Sequence, residues 1–490
     1  MGFQAFSISN FSNSKFFFLL SFLIPSVVRV LPEILMGKYI VGFDTVSYYV
    51  PVTLRWIDDG VGFFEFMAYA PLFYVLLVGL FSLGAPLAVS LKILPPLLYG
   101  FLGVAIFLFS RKVLGWSYLK GLFASCLATL YFVALRISWD MLRSELGLIF
   151  LFAFLIFLHM DSAKSLRKSF GLLLPSMVLV VFSHQLVSVI MFTIVFVLVL
   201  QKLVRQEYVA VRNLVLSALP SVFLFALVVY SRFVASLPSV NQSGWFSLFG
   251  FSSFSDTVWG TLGFLLFCYL PLLPFVIVGF WKVKSLELKV WVFWCLIGIA
   301  LAVAFPVFVV GYRWALLLVF PLVFFAAEGF ERFNFGVWKR VFLACSIFLS
   351  LSIVFLPAEY AFPYFGAFPY YVPSSMLQNS VSLSDCEDVV RALAWVNAGL
   401  GSDGVLLVHD AFHGWARLYL SDNSRVVCYG YRDPEVDAWE LFETGVRRLF
   451  VVWWVSGEGW HGQASLSSRF VEVFCTGRIA IYEFSGNVAV

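Results

Sequence analysis

The sequence predicts a polytopic α-helical membrane protein of about eleven transmembrane helices that ends in a small extracytoplasmic α/β domain. Of its 490 residues, 61% are hydrophobic and only 12% are charged, which is far from the composition of soluble globular domains. Apolar runs recur up to Pro357, and from Val381 onward the composition becomes that of a soluble domain. The formal net charge of +4 is too small to indicate a nucleic-acid partner.

Eleven apolar segments carry the transmembrane prediction, because a helix needs roughly 20 apolar residues to cross a bilayer. They are Phe16–Met36, Ala88–Ser110, Leu122–Leu135, Leu146–Met160, the two halves of Phe170–Leu200, Leu214–Ser231, Val258–Trp281, Val290–Val310, Trp314–Ala327 and Val341–Leu356. His184 breaks the long run Phe170–Leu200 and is predicted at the outer turn of a hairpin. Pro71–Leu83 is too short to cross and is predicted to be a re-entrant or interfacial helix.

Lys and Arg concentrate in alternate loops, which predicts the orientation of the chain. Lys15 precedes the first span, and Arg111, Lys112 and Lys120 follow the second, so these positions are predicted to be cytoplasmic. The N-terminus is then cytoplasmic and the C-terminal domain extracytoplasmic. The third span is predicted to emerge at an outer loop over Arg136–Glu145. All the unusual polar residues of the membrane part are predicted to fall on the outer side, namely Asp44, Asp58, Asp59, Glu65, Asp140, Arg143, Glu145, His184 and Arg313.

The chain divides into a transmembrane domain (1–357), a linker (358–380) and an α/β domain (381–490). Pro and aromatic residues in the linker indicate that it runs along the membrane surface. Alternating strand and helix patterns in the last part predict a mainly parallel sheet that folds on its own. One disulfide is possible among Cys386, Cys428 and Cys475, and whether Cys428 pairs with Cys475 stays open.

The stretch Gly42–Tyr49 follows the first span and carries the strongest candidate for catalysis, Asp44. A carboxylate at the membrane boundary is costly unless water, a cation or a substrate compensates its charge. Asp44 is predicted to act as general base on an acceptor hydroxyl, with a helix-capping role as the alternative. Asp140 is the second catalytic candidate, although a solvated acid or an ion-pair partner of Arg143 would give the same pattern.

Several further outer residues are candidates for binding substrate. Guanidinium groups offer bidentate donors to phosphate oxygens, so Arg143 and Arg313 are predicted to bind phosphate, with an interfacial anchor as the alternative for Arg313. The other candidates are Tyr48, Glu145 and His184. No metal-ligand spacing is present, and a divalent metal is possible without being required; the pair His409 and His413 fits a polar loop at a strand end better than a metal site.

These features resemble the GT-C superfamily of membrane glycosyltransferases, which includes protein O-mannosyltransferases, the aminoarabinose transferase of lipid A and oligosaccharyltransferases. The likeness covers roughly residues 16–330. The matching stretches are Gly42-Phe43-Asp44, Ala70-Pro71-Leu72-Phe73-Tyr74, Leu83-Gly84, Trp139-Asp140 and Tyr312-Arg313. The sequence departs from the family where Thr45 replaces the second acid of the mannosyltransferases and where Trp453-Trp454-Val455 fails the Trp-Trp-Asp signature of N-glycan transfer.

The resemblance implies a catalytic first-loop aspartate, a polyprenyl-phosphate sugar donor and an outward-facing site. The sequence therefore predicts an enzyme that transfers a sugar from a lipid-linked donor to an extracytoplasmic protein, lipid or glycan, with Asp44 as the base and no required cofactor. One alternative is a non-catalytic GT-C-like membrane protein that binds a lipid-linked glycan or an assembly partner. Another is a polymerase or ligase of lipid-linked glycans.

Overall fold

The computed structural model describes residues 8–160, 165–235, 254–304, 311–333, 336–368, 371–401, 404–430, 432–455 and 466–486. The helices are α1 (Ile8–Leu35), α2 (Val50–Asp58), α3 (Phe63–Ala68), α4 (Leu72–Ser82), α5 (Leu87–Lys112), α6 (Tyr118–Leu130), α7 (Phe132–Asp140), α8 (Leu142–His159), α9 (Leu166–Lys168), α10 (Leu174–Ser183), α11 (Gln185–Val204), α12 (Tyr208–Val234), α13 (Phe254–Tyr269), α14 (Leu273–Phe280), α15 (Leu286–Ala304), α16 (Gly311–Leu317), α17 (Val319–Arg332), α18 (Gly336–Phe355), α19 (Cys386–Gly399), α20 (Asp410–Tyr419) and α21 (Pro434–Glu443). The strands are β1 (Gly404–His409), β2 (Val426–Gly430), β3 (Arg448–Trp454), β4 (Phe470–Thr476) and β5 (Ile479–Phe484).

The membrane part agrees with the predicted series of spans. Among the described residues, 8 helices are long and apolar enough to cross a bilayer, and two bent helix pairs raise this number to 10. The eleventh predicted span corresponds to a shorter apolar helix over Phe170–Ser183, and α4 is likewise short, as predicted. The last residues of the predicted span Val290–Val310 lie outside the described residues.

One predicted loop is helical. The pair α6 and α7 bends by 62° at Tyr131, whose backbone is extended (φ −67°, ψ 133°). The segment from Arg136 to Asp140, predicted to be part of an outer loop, is therefore the end of α7, and it is buried. Met141 ends α7, and α8 begins directly after it. The loop prediction was wrong because polar residues were taken as exposed, whereas here they pair with one another inside the protein.

The C-terminal domain contains a five-stranded sheet in the order β2-β1-β3-β5-β4. The predicted alternation of strands and helices gives a sheet, but that sheet is mixed and not mainly parallel. β1 pairs in parallel with β2 and β3, whereas β5 pairs antiparallel with β3 and β4. The last two strands form a hairpin through Gly477, and a hairpin makes strands antiparallel. None of the seven cysteines, all of which are described, forms a disulfide.

The second half of the linker is buried and does not run along the surface. We call residues 371–382 the connecting segment. Leu377, Gln378 and Asn379 are each at most 3% exposed, and the amide of Asn379 donates to the Ile40 carbonyl (2.9 Å). The apolar core is continuous from the membrane helices through this segment into the C-terminal domain. Composition alone could not show this, because Pro and aromatic residues suit a surface linker and a buried segment equally.

Candidate active site

Asp44 lies on a short segment that is fixed by close backbone contacts. Gly42 has φ +99°, which favours glycine, and a Cβ atom there would overlap the carbonyl oxygen of Trp139. The N–H of Gly42 donates to the carbonyl of Gln378 in the connecting segment (3.1 Å). A π-helical turn, Thr45–Tyr49, follows Asp44 directly and leads into α2. The Asp44 side chain is 27% exposed, so it remains accessible to a reactant.

Asp140 lies beside Asp44 and holds its backbone. The N–H of Asp44 donates to Oδ2 of Asp140 at 3.4 Å, and Arg136 forms an ion pair with Oδ1 of Asp140. Nε of Arg136 donates to the Tyr371 carbonyl at 2.8 Å. The proposed alternative partner, Arg143, is not the one used, because Arg136 and Asp140 share one face of α7 at a spacing of four residues. Asp140 is fully buried, which suits a positioning role better than direct contact with a reactant.

Arg313 forms an ion pair with Asp44. Its Nη2 atom lies 3.5 Å from Oδ2 of Asp44, and its Nε donates to the hydroxyl of Tyr312 (3.2 Å). The Tyr312 ring lies 5.0 Å from the ring of Tyr371. The connecting segment thus supports both arginines that neutralise the two acids, Arg136 through a hydrogen bond and Arg313 through Tyr312.

Arg143 is buried near the same place but has no carboxylate partner among the described residues. Its Nη2 makes a long contact with Oε1 of Gln185 (3.5 Å), and its backbone N–H donates to the hydroxyl of Tyr49 (3.5 Å). Its guanidinium lies 5.7 Å from the centre of the Tyr74 ring, and its Nε is buried without a hydrogen-bond partner. A buried donor without a partner is costly, which keeps Arg143 a candidate for binding an anion.

A third arginine, which the sequence analysis did not select, completes this group. Arg232 is exposed near the end of α12, within electrostatic range of Arg143 and Arg313. We call Arg143, Arg232 and Arg313 the arginine cluster. In the part of the chain that is described, Asp44 is the one carboxylate paired with it. No motif marks Arg232, since a basic residue at the end of a span is common, and only the folded arrangement reveals it.

His184 separates α10 from α11, as predicted, but it is buried and not turned to water. It is 6% exposed, its Nδ1 has no hydrogen-bond partner, and all three members of the arginine cluster lie within electrostatic range. The prediction of a break at this position is therefore confirmed. Its surroundings place it with the phosphate-binding candidates Arg143 and Arg313.

Aromatic rings line one side of the site. The ring of Tyr48 lies 5.9 Å from those of Tyr49 and Tyr69, and Tyr74 and Trp56 pack behind them. Ala70 has φ +48°, one of two positive values among the described non-glycine residues. A conformation of this kind costs about 1–3 kcal/mol and persists only where the surroundings impose it. Tyr48 itself is partly exposed and lies within electrostatic range of Arg143 and Arg232, so the structure brings it together with these candidates.

Glu145 is not brought to this site. It is fully buried, and its charged neighbour is Arg29 of α1, beside Tyr99 of α5. Arg29 in turn pairs with Glu33 (2.8 Å) and donates to the Ser138 carbonyl (2.8 Å). Residues 143 and 145 point to different faces of α8, because neighbours two apart on a helix do not share a face.

The described residues contain no group of three or more His, Cys, Asp or Glu that could hold a metal ion. Each of the two site acids is instead neutralised by an arginine. In the C-terminal domain, Nδ1 of His409 accepts from the N–H of Ala411 (3.1 Å), and Asp410 accepts from the thiol of Cys428 (3.1 Å). These are local contacts at the end of β1.

Comparison with known proteins gives structural likenesses and no sequence family. No protein-family model matches the sequence, and no curated protein does. The cryo-EM structure of the arabinofuranosyltransferase AftD from Mycobacteria is 12% identical with a TM-score of 0.51 over 95% of this chain, which spans 40% of that protein. The crystal structure of the Archaeoglobus fulgidus oligosaccharyltransferase is 12% identical and has a TM-score of 0.52. This likeness covers 90% of the present chain and 70% of the oligosaccharyltransferase chain.

A third structure, ArnT from Cupriavidus metallidurans bound to undecaprenyl phosphate, is 15% identical with a TM-score of 0.49 over 96% of this chain and 98% of its own. The neighbours are GT-C glycosyltransferases. The likenesses to the arabinofuranosyltransferase and the oligosaccharyltransferase establish that this chain has the GT-C fold.

Proposed function

Since the chain has the GT-C fold, we propose that it is a membrane glycosyltransferase that moves a sugar from a polyprenyl-phosphate donor to an extracytoplasmic acceptor. The observation that carries this proposal is the juxtaposition of one accessible carboxylate, Asp44, with the arginine cluster. Three guanidinium groups face a single paired carboxylate among the described residues, which leaves positive charge without a partner. Planar guanidinium groups bind phosphate oxygens through bidentate, charge-assisted hydrogen bonds.

The reaction follows from these positions. Asp44 accepts the proton of the acceptor hydroxyl, whose oxygen attacks the anomeric carbon of the donor sugar. The bond between that carbon and the phosphate oxygen breaks, and the electron pair leaves with the polyprenyl phosphate. The arginine cluster stabilises the negative charge that grows on the leaving phosphate. A phosphate leaving group needs little help from an acid, so one base suffices.

Asp140 and Arg136 serve this reaction indirectly. Oδ2 of Asp140 accepts from the backbone N–H of Asp44 and thereby orients the segment that carries the base. Arg136 compensates the buried charge of Asp140. Tyr48 and its neighbouring rings offer an apolar face beside the carboxylate, which suits the carbon-bound face of a sugar.

The test uses the purified protein in lipid nanodiscs with a panel of polyprenyl-phosphate sugars and membrane extract as the source of acceptor. Release of polyprenyl phosphate that depends on the extract is expected with at least one donor. Arg313→Gln should weaken the binding of undecaprenyl phosphate, measured by native mass spectrometry. The control is Arg205→Gln, in the turn between α11 and α12. Failure of the wild-type protein to bind any polyprenyl phosphate would overturn the proposal.

A further inference from the structure

The C-terminal domain contacts the segment that carries Asp44 through one helix, α20. A Cβ atom on Gly414 would overlap the backbone carbonyl of Val46, so the two backbones touch. His413 precedes Gly414 on α20, and Arg417 follows it by three residues. His413 and Arg417 are therefore four residues apart and share a face of the helix. α20 packs against α2, and Arg55 of α2 lies within electrostatic range of His413.

Positive charge is in excess at this junction. In the described part of the chain, Arg417 has no carboxylate within ion-pair distance, and its Nε is buried without a hydrogen-bond partner. Arg55 pairs with Glu65, yet its Nε is also buried and without a partner. Burial, followed by the charges of Arg417 and Arg55, lowers the pKa of His413 to about 4. His413 is therefore neutral near pH 7, and its imidazole can both donate and accept a hydrogen bond.

The junction is continuous with the candidate active site. Nη2 of Arg55 donates to the hydroxyl of Tyr69 (3.2 Å), and the Tyr69 ring lies 5.9 Å from the ring of Tyr48. Tyr48 belongs to the aromatic side of the Asp44 site. A molecule bound between α2 and α20 would thus lie beside the aromatic rings that line the Asp44 site, on the side of the C-terminal domain.

We propose that Arg417, Arg55 and His413 form a second anion site, which holds a phosphate or carboxylate group of the acceptor. The inference rests on the proposed glycosyltransferase function and adds the chemical class of its acceptor, an anionic glycan or phosphorylated molecule. Two arginines with unused donors bind such a group through charge-assisted hydrogen bonds, while the neutral histidine adds one more. A neutral acceptor would leave these donors unpaired, so the site discriminates against it.

The experiment measures binding to the full chain in nanodiscs with three soluble probes, glucose 6-phosphate, glucuronate and glucose, alongside undecaprenyl phosphate. At least one anionic sugar should bind in the millimolar range, and glucose should bind about tenfold more weakly or not at all. Which anionic sugar binds more tightly separates phosphate from carboxylate. Arg417→Gln should weaken that binding about tenfold, and Arg417→Lys should restore part of it because the charge returns.

The control is Arg447→Gln, an exposed arginine of the same domain that contacts only the ring of Phe442 among the described residues. It should bind every probe as the wild type does. Arg417→Gln should leave undecaprenyl phosphate binding unchanged, and Arg313→Gln should weaken that binding while leaving the anionic sugar bound. Equal binding of glucose, or parallel loss of both ligands in Arg417→Gln, would overturn the acceptor site. If the wild type bound the anionic sugar but not undecaprenyl phosphate, the proposed function would be overturned and the anion site would remain.

Discussion

Nη2 of Arg313 lies 3.5 Å from Oδ2 of Asp44, which joins the candidate base to the arginine cluster in a single ion pair. The pair comes from distant parts of the sequence, the loop after α1 and the first turn of α16. The candidate base is therefore coupled directly to one member of the arginine cluster.

Asp44→Asn should lower turnover by about 10²–10⁴-fold, the usual contribution of a general base. The amide keeps the shape of the side chain but cannot accept the hydroxyl proton. Donor binding should survive, since the arginine cluster holds the phosphate. Turnover with a polyprenyl-phosphate sugar checks this, with Asp58→Asn, an exposed acid of the same outer region, as the control. Unchanged turnover in Asp44→Asn would remove the assignment of the base.

Arg232→Gln should weaken donor binding about tenfold without lowering thermal stability. Arg232 has no ion-pair partner in the described residues, so its removal leaves no charge uncompensated. We therefore expect its positive charge to serve a ligand and not the fold. Native mass spectrometry of undecaprenyl phosphate binding and a thermal unfolding curve give the two readouts. A fall in melting temperature with unchanged binding would show that Arg232 is structural.

Arg136→Met should lower the thermal stability of the protein, unlike Arg232→Gln. Removing this arginine leaves the fully buried Asp140 without its partner, and breaking a buried pair typically costs about 3–5 kcal/mol. The melting temperature should fall, and the double variant Arg136→Met with Asp140→Leu should recover much of it. Turnover should stay low in the double variant, because the N–H of Asp44 has lost its acceptor. Full activity in the double variant would contradict the positioning role of Asp140.

Gly414→Ala should destabilise the contact between α20 and the Asp44 segment. The new methyl group meets the Val46 carbonyl, which is backbone and cannot turn aside, and overpacking of this kind costs about 1–3 kcal/mol. Turnover should fall along with stability, since the displaced turn carries the base. Gly399→Ala is the matched control, because a Cβ atom there has open space. Equal behaviour of the two variants would argue against the coupling.

The orientation of the chain is tested by labelling single cysteines in a background from which the seven native ones are removed. Cysteines placed at Asp58 and Arg447, both exposed, should react with an impermeant reagent on intact cells. A cysteine at Lys112, also exposed, should react only after the membrane is permeabilised. Reaction of position 112 on intact cells would reverse the predicted orientation.

The sequence was sufficient for the spans and for the main acidic and basic residues of the site, because apolar length and charge at span ends are local properties. Asp44 and Arg313 were both selected, and they form an ion pair. The partner of Asp140 was missed, since choosing Arg136 over Arg143 requires knowing that α7 continues to Asp140 and that Met141 breaks the helix. Glu145 was grouped with the site because it is only two residues from Arg143 in the sequence. On the helix α8 these two residues lie on different faces, and Glu145 lies near Arg29.

Arg232 and the connecting segment could not be found from the sequence for a different reason. Both depend on contacts between parts of the chain that are far apart, and neither carries a local pattern. Gln378 accepts from the N–H of Gly42 (3.1 Å) and from the indole of Trp139 (3.1 Å), and nothing in its neighbourhood of Pro, Ser and aromatic residues predicts this.

The position of the connecting segment also fixes when the site can form during synthesis. Ribosomes add residues in order, and membrane helices insert as they emerge, so the helices up to α18 enter the bilayer before Gln378 is made. Until then, the segment that carries Asp44 and the end of α7 that carries Asp140 lack the carbonyl groups of Gln378 and Tyr371 that hold them. A nascent chain that has inserted every span up to α18 therefore still lacks these contacts, and the candidate site is complete only after the connecting segment has been made.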